Sequence, residues 1–95
     1  MSNKPGRNPT IYNKTLTDVD TEYSQALPSD TVKFEVRCRT AAAVKLAFTS
    51  SESGTTYFTI PAGASYWEDE VQTNKTLYFQ SATAGVVLEI KAWNF

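Results

Sequence analysis

The chain has no histidine and a single cysteine, Cys38. The missing histidine removes the usual general base, the Ser-His and Cys-His nucleophile pairs and most zinc sites. One cysteine permits neither an internal disulfide nor a thiolate metal cluster. No apolar run is long enough to span a bilayer, and the first thirty residues hold no apolar core of a signal peptide. The expectation is a soluble chain made without a removable leader. Charge of either sign is also in short supply, with nine basic against ten acidic residues. No overall field draws in a polyanion, so neither direct nucleic-acid binding nor attachment to an anionic membrane is expected. No segment repeats apolar residues with helical period.

What is present is alternation. In Thr31 to Arg39, T-V-K-F-E-V-R-C-R, the apolar Val32, Phe34, Val36 and Cys38 alternate with Lys33, Glu35, Arg37 and Arg39. Strand side chains point to opposite faces with period two, so this stretch predicts a half-buried strand with Phe34, Val36 and an inert Cys38 inside. Similar patterns predict strands near Lys14 to Val19, Tyr23 to Leu27, Val44 to Phe48, Tyr57 to Ile60, Ser65 to Glu68, Thr76 to Ser81 and Val86 to Ala92. The last two predict a hairpin. Turn signals such as Pro28-Ser29-Asp30 and Pro61-Ala62-Gly63 recur at roughly ten-residue intervals. Seven or eight short strands so spaced predict an all-β antiparallel β-sandwich, and jelly-roll and immunoglobulin-like topologies both fit. At 95 residues it is one domain, which buries roughly 64% of the unfolded chain's surface.

Two prolines, Lys4, Arg7 and no acid mark Met1 to Tyr12. Proline cannot donate to a ladder, so residues 1–12 are expected to be an extended arm and 13–95 the sandwich. Within the arm, Ile11 and Tyr12 are candidate docking groups for a partner, with Lys4 and Arg7 meeting carboxylates at the rim. Tyr66, Trp67 and Trp93 are the other candidate partner-binding residues, because exposed rings stack on sugars and anchor partners. The acids Asp18, Asp20 and Glu22 lack the glycine and distal glutamate of a calcium-binding loop. Glu68, Asp69 and Glu70 are expected in a solvated loop. No cofactor, metal or catalytic residue is expected, and the chain is expected not to be an enzyme.

From Tyr23 onward the sequence resembles a small protein that recurs in the structural gene blocks of tailed bacteriophages. The segments that carry the resemblance are Y-S-Q-A-L-P (Tyr23 to Pro28), the Phe34 to Arg37 strand, L-A-F (Leu46 to Phe48), Y-F-T-I-P-A-G (Tyr57 to Gly63), L-Y-F-Q-S (Leu77 to Ser81) and the closing A-G-V-V-L-E-I with Trp93. The first twenty residues lie outside it. The resemblance implies a non-enzymatic part of the virion, a capsid decoration (cement) protein or a head or tail accessory. Its partners would be major capsid or tail proteins and further copies of itself. The aromatic residues support a different reading, a carbohydrate- or receptor-binding β-sandwich module.

Overall fold

The structure, a computed structural model, describes residues 8–73 and 76–94. Among these lie eight strands: β1 (Asn8–Leu16), β2 (Tyr23–Ala26), β3 (Thr31–Cys38), β4 (Val44–Ala47), β5 (Phe58–Ile60), β6 (Ser65–Thr73), β7 (Thr76–Gln80) and β8 (Val86–Asn94). They form two antiparallel four-stranded sheets, ordered β1-β8-β3-β6 and β2-β7-β4-β5. The pairs β1·β8, β2·β7, β3·β6 and β4·β5 are those of one long ribbon doubled back at the β4–β5 connection. Rolling that ribbon brings β8 against β3 and β7 against β4, which completes both sheets. The fold is an all-β sandwich with jelly-roll strand order.

The core lies between the sheets and follows from the alternation. Phe34 and Val36 of β3, Leu88 and Ile90 of β8, Leu46 of β4 and Leu77 and Phe79 of β7 are all buried. Phe34 is the core's aromatic centre, its ring 6.1 Å from Tyr66 and 6.3 Å from Phe48. Among the described residues three polar side chains are buried, Thr31, Ser53 and Ser81, and each is hydrogen-bonded. Ser81 Oγ donates to the carbonyl of Ala43 and accepts from the Thr83 amide, tying two corners of the roll together.

Several expectations are corrected. The strand expected near Lys14 begins at Asn8, so residues 8–12 pair with β8 and belong to the sandwich, not to an arm. Pro9 is tolerated because β1 is an outermost strand paired on one side only. The β7–β8 hairpin does not form. The two strands lie in different sheets, and residues 81–85 carry the chain around a corner where Gly85 N donates to Leu16 O and Asp20 N to Ser81 O. Glu68 and Asp69 stand inside β6, a nine-residue edge strand whose solvated sides accept charge. In β3 the register shifts between Thr31 and Lys33, which places Thr31 inside in place of Val32. Cys38, the last residue of β3, is half-buried and not sealed in the core.

Candidate functional site

The two sheets present very different outer faces. Over the β2-β7-β4-β5 sheet, the β4–β5 connection folds back and is latched by Glu22. That carboxylate accepts from the amides of Ser51 (2.7 Å) and Ser53 (3.0 Å) and from Ser53 Oγ (2.6 Å). Ser53 Oγ also lies 3.0 Å from the carboxamide oxygen of Gln80, an outward-facing residue of β7. Burial pushes the Glu22 carboxyl upward, but the hydrogen bonds from Ser53 and Ser51 outweigh it and hold the group below its ordinary value. Ser53 is fully buried, and so is Ala47 at a position whose parity points outward. The loop covers part of this face, while Ser24, Ala26 and Thr59 stay exposed on it.

Among the described residues, nothing comparable crosses the other sheet. The registers set its outward side chains in rows across β1, β8, β3 and β6. One row reads Pro9, Trp93, Lys33, Asp69, the next Ile11, Lys91, Glu35, Trp67, and the third Asn13, Glu89, Arg37, Ser65. Both tryptophans therefore share one face, with lysines laid over them. Lys33 Nζ is 4.7 Å from the Trp93 ring centroid and 5.5 Å from that of Trp67, and Lys91 Nζ is 5.0 Å from Trp93. These are cation–π distances, so a single ammonium bridges the two rings.

The third row is held by ions. Glu89 accepts from Arg37 Nε (3.1 Å) and Arg39 Nε (2.9 Å), and Arg39 also donates to Asn13 Oδ1 (3.2 Å). The hydrogen bond from Arg39, then that from Arg37, keeps the Glu89 carboxyl below its ordinary value. By contrast, Glu35 and Asp69 form no ion pair among the described residues, although each stands opposite a lysine. The lysines lie on the rings instead. A depression of about 330 Å³ opens on this face, lined by Ile11, Asn13, Glu35, Arg37, Glu89 and Lys91.

A second feature lies where the β4–β5 connection meets the edge of the roll. Phe48, Tyr57 and Phe58 are all exposed there, Phe58 by 55%, around an open depression of about 240 Å³. Phe58 also packs against Tyr66 at a tilt, with ring centroids 4.9 Å apart, so it extends the core aromatics to the surface.

The expected site residues are thus divided. Trp67, 55% exposed, and the half-buried Trp93 share the open face, with Ile11 exposed on the same side. Tyr66 and Tyr12 point the other way and pack against the core. Burial, followed by the nearby Glu68 carboxylate, raises the Tyr66 hydroxyl's pKa. Lys4 and Arg7 lie outside the described residues. Sequence reading missed Asp69 and Lys91, whose parity with Trp67 and Trp93 on their own strands was the available signal, and Lys33 and Glu35, which only the register of β3 brings to the rings, and it missed the exposed Phe58.

No group of three or more His, Cys, Asp or Glu residues that could hold a metal ion occurs among the described residues. No family model matches the chain, and neither does any curated protein or solved structure.

Proposed function

We propose that the chain is a non-enzymatic structural subunit of a virion, a capsid decoration (cement) protein or a head or tail accessory, that acts by binding neighbouring virion proteins. The observation that carries this reading is the aromatic patch of Phe48, Tyr57 and Phe58 at the edge of the roll. Large aromatic rings grouped around an open depression are the anchors from which protein interfaces draw most of their binding energy. The jelly roll supports the same reading, being an architecture widely used for capsid domains. The sequence resemblance over residues 23–95 supplies the choice of virion over other assemblies.

The test is composition. Purified particles should contain the chain at a copy number that is a fixed fraction of the major capsid or tail protein. Phe58→Ala should reduce incorporation while lowering the melting temperature of the free protein by no more than about 10 °C, since more than half of the ring is already exposed. Absence of the chain from purified particles would overturn the reading.

A further inference from the structure

We propose that the uncovered outer face of the β1-β8-β3-β6 sheet is a binding platform for a neutral saccharide chain, with Trp67 as the stacking surface. The inference is independent of the virion reading, because it rests on a different face of the molecule. Four observations bear on it together.

The Glu22-latched loop crosses part of the opposite sheet, whereas among the described residues nothing crosses this one. Trp67 is more than half exposed on a strand paired within the sheet, and Lys33 Nζ lies over its ring, 5.5 Å from the centroid. An indole so presented can take up the C–H face of a sugar ring with little ordering cost. Glu35, directly across from Trp67, and Asp69, two residues along the same strand, are carboxylates without an ion-pair partner among the described residues. Both signs of charge alternate around the ring, with Lys33 and Lys91 against Glu35 and Asp69.

That pattern selects among ligands. A polyanion would meet the lysines but be repelled by Glu35 and Asp69, and a polycation would meet the reverse. A protein surface would have to cover four charges of mixed sign in register or leave some of them buried and unpaired, which is costly. Sugar hydroxyls both donate and accept. They can give hydrogen bonds to the two carboxylates and take them from the two ammoniums, while the apolar ring face rests on the indole. The depression of about 330 Å³ adjoins the platform through their shared Glu35, so a chain of several sugars has somewhere to continue.

The experiment titrates the protein with soluble neutral oligosaccharides, cellohexaose, maltohexaose and fully N-acetylated chitohexaose, with oligogalacturonate as a charged control, following indole fluorescence and calorimetric heat. The expected result is saturable binding of at least one neutral oligosaccharide, weakened about tenfold or more by Trp67→Ala and to a lesser degree by Glu35→Gln. Phe58→Ala, on the aromatic patch, should bind as the unaltered protein does. Trp67→Ala replaces an exposed side chain, and a melting curve beside each titration separates lost binding from lost fold. The proposal is overturned if no neutral oligosaccharide binds at about 10 mM, if only the charged control binds, if Trp67→Ala binds unchanged, or if the face proves to be held by a protein partner that Trp67→Ala releases.

Discussion

Replacing Phe34 with alanine removes the ring on which both ends of the core aromatic cluster converge. Phe34 is 2% exposed, sits in a strand paired on both sides, and meets Phe48 edge-on and Tyr66 at a tilt. The surrounding strands are fixed by their ladders and cannot collapse into the space, so the cavity persists and the full cost of about 3 to 5 kcal/mol applies. A domain of this length has roughly 5 to 14 kcal/mol of total stability, which makes this a large fraction of it. The corresponding fall in melting temperature is at least about 12 °C. Phe48→Ala serves as the internal comparison. That ring is 38% exposed, so only part of its burial is lost, and the expected cost is about 1 to 2 kcal/mol. Both are read from urea unfolding followed by tryptophan fluorescence, with equal slopes required so that the midpoints compare directly. A Phe34→Ala cost below about 1 kcal/mol, or one no larger than that of Phe48→Ala, would refute the account of the core.

Glu22→Gln should loosen the β4–β5 connection at neutral pH, with faster amide exchange at Ser51 and Ser53. Because the folded-state carboxyl titrates below its ordinary value, its stabilisation is present above the unfolded-state pKa and disappears as pH falls through the folded one. The stability gap between wild type and variant should therefore be constant near neutrality and close in acid; a gap that widens in acid contradicts the latch. Gly85→Ala should cost about 1 kcal/mol from strain alone, since its φ of +75° suits glycine while a Cβ there meets nothing within 4 Å. A chain lacking residues 1–12 should melt well below the full chain, because it loses the Tyr12 packing and the first five residues of β1; an unchanged melting curve would return that segment to the status of an arm.

Where one residue's environment depends on its own strand, it was legible in the sequence. The alternation in β3 and β8 placed Phe34, Val36, Leu88 and Ile90 correctly, because period two is a local property of an extended chain. Pairing is not local. Thr76 to Ser81 and Val86 to Ala92 look like hairpin partners, and only the contacts of the intervening corner with Leu16 and Asp20, more than sixty residues earlier, take them into different sheets. Pro9 and the acids of β6 misled for the same reason: what an edge strand tolerates cannot be judged before the edge is known. Tyr66 and Trp67 are adjacent, so as strand residues they had to face opposite ways, and only Trp67 could serve an outer face. The lysines over the rings required the register between β3, β6 and β8, and the covering of the second sheet required Glu22 to find a loop that follows it by about thirty residues.

The rolled ribbon sets a condition on how the protein is made. Strand β8 is the inner neighbour of both β1 and β3, and its pairing with β1 joins Asn8 to Asn94. Until β8 has been made, the first sheet lacks the strand that links β1 to β3, and Leu16, Phe34 and Val36 lack their neighbours Leu88 and Ile90. The sheet therefore cannot close until β8 has been made, and β1 and β3 carry open edges for the interval before it. A chain stopped before β8 would leave those edges open permanently, ready to pair with other copies instead of with itself.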